Sequence, residues 1–555
     1  MLFHSWTFLV FLAVVLPVFF ALRRTQFWIP WLLLASYVFY GWWNRYYLIL
    51  VLYSTALDYL LVTLMDHCPT ASGGENRAAG APSNGDGVRD PASPISLQYS
   101  SPDLPRHEEV LRAALRIFSA LAAGAAVAAF IVPQHLNLRP TLLVAFVLLL
   151  LMAVGAALRS RRAWLFVSIF NNLALLLFFK YARFVEENLN FLFAALHLDC
   201  KLASPSTLMP HGLTYILPVG ISFFTFQSMS YTIDFYWGKV PRERNFLRFA
   251  TFVCFFPQLM AGPIERARQI LPQFQQSPPF AWQNIYDGAS LFLVGLFKKV
   301  ALANYLALFV DLVYDNPARF DATWLALATF AFAWQIFFDF SGYTDMARGI
   351  AKVMGFDLVL NFNNPYLASG LGEFWTRWHI SLSTWFRDYV YIPLGGNRRG
   401  AWMTYRNLLI VFLVSGFWHG ANWTYVIWGL LHALGIMLTR ELERSKVYRE
   451  RVPLLFKQMW VFLYVCFAWI FFRADSLADA WLILGRIATA SWSSPQIPGL
   501  MLLLVLLAWG YQFIYESRVR PVLANGFVRV GLATSMLLYL TLCSASGKAF
   551  IYFQF

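Results

Sequence analysis

Charge is scarce in this sequence. Only 13% of its 555 residues are Asp, Glu, Lys or Arg, where a soluble protein carries about 25%. With 59% hydrophobic residues, 18% of the chain aromatic and a mean hydropathy of +0.55, the chain holds more apolar side chain than a soluble core can absorb. Cysteine is rare too. Cys68, Cys200, Cys254, Cys466 and Cys543 form no CxxC pair and no metal-ligand spacing, which speaks against a disulfide framework and against a metal site. Cys254 and Cys466 sit in apolar runs, where a buried inert thiol is the default. There is no Walker A sequence, no GxSxG elbow and no HExxH. No internal repeat is visible, which weighs against a repeat-built transporter.

What is present is a series of long apolar blocks, such as residues 142–158 and 163–179. A helix needs about 20 predominantly apolar residues to cross a bilayer. The blocks do not alternate in strands of about ten, so a β-barrel is excluded. The sequence therefore predicts an all-α, polytopic integral membrane protein with about 13 membrane segments. The net charge of +14 comes from basic residues assigned here to short loops: Arg23 and Arg24, 159–162, 242–248, Lys298 and Lys299, and 440–451. That is the positive-inside pattern and contact with anionic lipid, not a nucleic-acid footprint. The N-terminus has its positive charges after its apolar run, so it reads as a retained first helix. Arg23 and Arg24 in the cytoplasm put the N-terminus outside.

Apolar segments fill residues 6–22, 27–43 and 46–65 as N-terminal spans. Residues 66–112 are rich in Gly, Ser, Pro, Ala and charge, with Tyr99 as the lone aromatic of the Phe, Trp and Tyr type. Such a stretch cannot bury enough apolar surface to order itself, and it reads as a disordered cytoplasmic loop. Two extra spans follow within 113–162, near 113–132 and 140–158, and another lies at 163–181. From 163 to 440 the pattern is interrupted by Pro218, Gly220, Pro257, Gly262, Pro263, Gly342, Gly355, Pro365, Gly370 and Pro393. Broken backbone at membrane depth is tolerated only where protein or water satisfies it, so this region predicts short or re-entrant helices around a central cavity. Residues 441–555 complete the chain with C-terminal spans.

Two motifs stand out. Residues 373–396 read EFWTRWHISLSTWFRDYVYIPLGG, and 415–423 read SGFWHGANW. Each sets one histidine, His379 and His419, among tryptophans. A protonatable group in lipid surroundings is expensive, about 2.5–3.5 kcal/mol when charged, and usually functional. A neutral imidazole at His419 could take a proton from a hydroxyl as it attacks an acyl carbonyl, and Gly420 and Ala421 leave room for a substrate. Trp378, Leu382, Trp385 and Tyr389 recur at helical spacing, with Arg377, Ser381, Thr384 and Asp388 on a second face. Asp339 follows an apolar run and needs a partner, for which Arg348, Arg377 or a histidine would serve. Asp345 and Arg348 are spaced for an i,i+3 ion pair. For either histidine taken alone, a structural hydrogen bond between helices is the commoner explanation.

At these motifs the chain resembles the membrane-bound O-acyltransferase family, in its branch acting on exported glycans such as alginate and teichoic acid. The likeness rests on residues 218–227, 255–264, 339–345, 361–366, 378–383, 385–395, 415–421 and 550–555. It implies a catalytic core at 163–440 with His419 as the essential histidine and His379 as the second. Trp378, Arg377, Asp339, Asn363, Trp418 and Asn422 would line or support the substrate path. It further implies no bound cofactor and a cytoplasmic thioester donor, acetyl-CoA or an acyl carrier protein. The acyl group, acetyl first of all, would pass toward an exported polysaccharide, directly or through an outward-facing transfer partner, at the bacterial inner membrane. The rival readings are a transporter of acyl donor or glycan without chemistry, and a non-catalytic scaffold.

Overall fold

The computed structural model describes residues 1–69, 104–132, 137–210, 213–492 and 499–543. Helices dominate, with no strand among the described residues. Among them, nine helices are long and apolar enough to cross a membrane by length and composition, and Trp6–Leu22 and Trp28–Gly41 are apolar but shorter. The early segments fall close to expectation, at Trp6–Leu22, Trp28–Gly41 and Leu48–Asp66. Most of the polar stretch after Asp66 lies outside the described residues, as does the aromatic terminal motif at 550–555. The helix Leu104–Ile131 begins inside the segment expected to be loop. Glu108 pairs with Arg112 one turn on, and with Arg159 at 3.0 Å, so charged turns extend the helix beyond its apolar part. The span expected at 163–181 is longer as well, running from Arg161 to Ala195 over 35 residues.

The broken region has the predicted short helices, among them Phe246–Cys254, Leu371–Arg377 and Ile380–Phe386. It also contains two long ones that the sequence pattern concealed, Trp282–Tyr314 and Ala322–Val353. Gly342, expected to interrupt an apolar stretch, lies inside the second of these. A Cβ on Gly342 would fall 2.7 Å from the Gly295 carbonyl oxygen, and one on Gly295 would fall 2.5 Å from that of Gly342. The two glycines let the backbones touch, as small residues do where membrane helices pack. Lys298 and Lys299 are likewise not in a loop. They open a π-helical turn, Lys298–Ala303, in the middle of the helix, and the glycine contact brings Lys299 against the facing Asp339. An adjacent basic pair looks like a loop in sequence, but here both residues face carboxylates of the neighbouring helix.

The same device joins Gly400–His419 to Trp423–Arg444, where a Cβ on Gly416 would meet the Tyr425 carbonyl oxygen at 2.3 Å. Basic residues gather at one end of the helical body. Arg242 pairs with Asp66, Arg161 donates to the Phe235 carbonyl, and Arg266 pairs with Asp388. His419 is at the far end of its helix from this basic cluster.

A valine at Gly342 would wedge this contact apart, and overpacking costs about 1–3 kcal/mol. Gly342→Val is therefore expected to lower the detergent-solubilised protein's Tm by several degrees, read by scanning fluorimetry.

Candidate active site

A helix leaves its last four carbonyls without partners inside it. At Gly400–His419 that end is inside the protein, and each carbonyl is accounted for. Gly420 N–H donates to Gly416 O. The Tyr181 hydroxyl donates to Phe417 O. Lys180 Nζ donates to Trp418 O at 2.6 Å and to His419 O at 2.9 Å. Both Lys180 and Tyr181 come from a π-helical turn, Leu177–Tyr181, and π-bulges are frequent at functional sites. The lysine's charge also suits the negative end of the helix dipole. The sequence motifs do not single out Lys180; a lone lysine inside an apolar run is the signal it carries.

This cap fixes His419, which is 4% exposed. Its ring packs edge-on against Trp418, Trp428 and Phe472, with centroids 4.9, 4.9 and 5.4 Å away. His419 and Trp418 line a small cavity of about 40 Å³ with Lys180, Gly220 and Phe223. A larger cavity of about 520 Å³ begins at the next residue, Gly420, and shares the Phe472 ring. From the basic end, a third cavity of about 460 Å³ runs from Arg387 and Tyr391 past Trp375 to Ser415, one helical turn before His419.

His379 is fully buried and sits at the break between Leu371–Arg377 and Ile380–Phe386, with φ +43°. Left-handed backbone is uncommon for a residue with a side chain. Asn361 holds the break. Its backbone carbonyl accepts from Ile380 N–H, and its Oδ1 accepts from the Ser381 N–H at 3.2 Å and the Ser381 hydroxyl at 2.9 Å. A backbone N–H can only donate, so the atom facing it is the amide oxygen. His379 Nδ1, 3.2 Å from the same oxygen, therefore carries the proton, and Nε2 holds the lone pair. The Trp418 ring touches both histidines, with its centroid 6.1 Å from that of His379.

The other expected residues divide. Asn422 caps Trp423–Arg444 through Thr424 N–H, bonds the Asp475 carbonyl and lines the larger cavity. Asp339 lines that cavity too, and pairs with Lys299 at 2.7 Å. Asp345 pairs with Arg348 at 3.5 Å and also with Lys298 at 2.7 Å. Trp378 is buried among Phe337, Phe362, Tyr366, Phe374 and Trp469, away from the cavities. Arg377 pairs with Glu373 and with Glu516 of Gly499–Glu516. Asn363 is exposed and uses its backbone N–H on the Arg377 carbonyl. Of the three asparagines at 361–364, it is Asn361 that reaches His379.

The profile of the MBOAT, membrane-bound O-acyltransferase family matches residues 238–478, which contain both histidines. A probable alginate O-acetylase of Pseudomonas putida is 37% identical over 435 residues, covering 73% of this chain and 86% of the relative. The corresponding protein of Pseudomonas aeruginosa is 42% identical over 332 residues, 59% of this chain and 61% of that relative's length. A peptidoglycan O-acetyltransferase of Helicobacter pylori is 38% identical over 355 residues, 58% of this chain and 64% of the relative. The chain belongs to the membrane-bound O-acyltransferase family. It is a multi-pass membrane protein of the O-acyltransferase class.

Lys180→Met keeps the alkyl stem and removes the donor to two buried carbonyls. Leaving a buried polar group unsatisfied costs about 1–3 kcal/mol. The variant is expected to keep its fold in membranes while losing at least about tenfold in acyl transfer, measured beside a Tyr181→Phe control that loses a single donor.

Proposed function

We propose that this protein transfers an acetyl group from a cytoplasmic thioester toward hydroxyls of an exported envelope polysaccharide. The observation that carries this reading is a buried histidine set between two cavities, one ending at Ser415 a turn before it and one beginning at Gly420 just after it. The names of the relatives, alginate O-acetylase and peptidoglycan O-acetyltransferase, support acetyl as the group and an envelope glycan as the destination.

The basic end is taken as cytoplasmic, following the positive-inside rule, which sets the N-terminus outside and the protein in the bacterial inner membrane. The donor, acetyl-CoA or an acylated carrier protein, would present its thioester arm through the cavity that starts at Arg387. That cavity is lined mainly by apolar and aromatic side chains, as suits a slender, uncharged arm. The acceptor hydroxyl would come from the opposite cavity, past Gly420. It belongs either to the glycan or to an outward-facing partner that completes the transfer. His419 takes the hydroxyl proton as the oxygen attacks the thioester carbonyl. The new C–O bond forms, the C–S bond breaks, and the thiolate leaves with the proton returned from the imidazolium. His379, held in one tautomer by Asn361, offers Nε2 as a second acceptor on the donor side of the Trp418 ring.

General-base help contributes on the order of 10²–10⁴ in rate. His419→Ala is expected to insert and fold normally yet reduce acetylation at least about 100-fold, read as labelled acetate on envelope glycan and as free CoA or carrier released in vesicles. Full acetylation by that variant would refute the role given to His419. Asn361→Ala, which frees the His379 tautomer, is expected to lower turnover by about tenfold while changing the apparent affinity for donor little.

A further inference from the structure

The small cavity against His419 is wrapped by the start of another helix. The consecutive residues 217–223 line it, and they lead into Ile221–Tyr236, a helix of 16 residues. The first N–H groups of a helix have no partner inside it and are usually satisfied by a capping side chain. Here the cap position is Gly220, at φ +78°, which has no side chain to offer. A Cβ there would fall 2.7 Å from the Leu259 carbonyl oxygen, so a capping serine or aspartate has no room. The other N–H groups can be traced. Ile221 donates to Pro218 O, and Phe223 and Phe224 both donate to Gly220 O. Ser222 N–H has no acceptor among the described residues. Nor does the Ser222 hydroxyl bond to any of them, although it lines the cavity on a residue only 8% exposed.

Trp418 adds another donor. It lines the same cavity at 3% exposure, and its Nε1–H is without an acceptor among the described residues. A buried indole N–H usually finds one. Lys180 adds one more. An ammonium has three N–H groups, and two of these donate to the Trp418 and His419 carbonyls. Donors gathered at the positive end of a helix dipole are what an oxygen gaining negative charge requires. The rest of the wall includes the apolar Phe223 and Met260. The Phe223 ring lies 6.3 Å from that of His379 and 5.6 Å from that of Trp418, between centroids, so this turn belongs to the same centre as the two histidines. Size matters as well. One water needs about 10–15 Å³ of cavity. At about 40 Å³ this one takes about three such occupants, which matches the non-hydrogen atoms of an acetyl group.

We propose, resting on the acyl-transfer reading, that this cavity holds the acyl group of the donor and that the start of Ile221–Tyr236 is the oxyanion site of the transfer. The thioester carbonyl oxygen meets the Ser222 N–H and hydroxyl, with Trp418 Nε1–H and Lys180 beside it, and the methyl group lies on Phe223 and Met260. As the acceptor oxygen bonds to the carbonyl carbon, the C=O electron pair moves onto the carbonyl oxygen and is held by these donors. The pair returns as the C–S bond breaks, and the thiolate receives the hydroxyl proton by way of His419. Acyl chains longer than two carbons overfill the cavity.

The test presents S-acetyl-, S-propionyl- and S-butyryl-pantetheine, the arm that CoA and carrier proteins share, to the full chain in membrane vesicles from cells that make the glycan. Free thiol is followed, with vesicles lacking the protein as the blank. The acetyl thioester is expected to turn over at least about tenfold faster than the butyryl one, since a single methylene in a fitted pocket is worth about 10–200-fold. Met260→Ala is expected to shrink that ratio several-fold, a readout that general destabilisation would not move. Ser222→Ala is expected to lower kcat on the order of 100-fold with KM little changed, because an oxyanion donor acts on the transition state. Trp418→Phe keeps a ring, loses the N–H and is expected to lower kcat about tenfold. Equal turnover of the acetyl and butyryl thioesters overturns the proposal, and so does a Ser222→Ala variant that changes KM alone or nothing. The comparison of chain lengths on the unmutated protein stands even if a variant fails to fold. Thiol release that ignores chain length removes the pocket and leaves acyl transfer standing. Release from none of the thioesters above the blank removes both.

Discussion

The site depends on how one helix is allowed to stop. Gly400–His419 ends inside the protein, and unsatisfied backbone groups at membrane depth each cost several kcal/mol. Lys180 and Tyr181 take on that task for three of the four carbonyls, and Gly420 N–H for the other. With the helix closed off there, His419 stands at a terminus instead of mid-span. The chain can turn at once through Gly420 and Ala421 into the wall of a cavity.

π-helical turns recur around the centre. Leu177–Tyr181 supplies Lys180, Lys298–Ala303 supplies Lys299, and Arg387–Tyr391 lies at the mouth of the cavity on the basic side. The first two each insert a residue into an otherwise regular helix and so rotate the turns beyond it, while Arg387–Tyr391 ends the helix begun at Ile380. The rotation turns polar side chains inward on helices whose remaining faces are apolar. The same constraint explains the glycine contacts. Helices carrying buried lysines must approach closely enough for the charges to pair, and Gly295 with Gly342 makes that approach possible for Lys299 and Asp339.

Much of this is legible in the sequence, for identifiable reasons. Apolar run length locates the first three spans within a few residues, because a bilayer sets that length, while the helices begun at Leu104 and Arg161 outrun their apolar parts. The two histidines are legible because polar groups in such a chain are so few. Three features are hidden. The pairing of Lys299 with Asp339 cannot be read, since 40 residues separate them and adjacent lysines resemble a loop. The choice of Asn361 over Asn363 turns on a single backbone kink that no periodicity records. Lys180 escapes notice because its role is toward backbone atoms, which leave no mark on the pattern of side chains.

The left-handed backbone of His379 has a consequence for anyone replacing that residue. Conformations of this kind cost on the order of 1–3 kcal/mol and persist only where the surroundings enforce them. Alanine at this position would remove the ring and keep the torsional burden, so the hinge between the two short helices could relax and carry Trp378 and Ser381 with it. Asparagine and glycine tolerate the same torsion angles. A comparison among the three separates what the imidazole does from what the bend does, a distinction that alanine scanning by itself would blur.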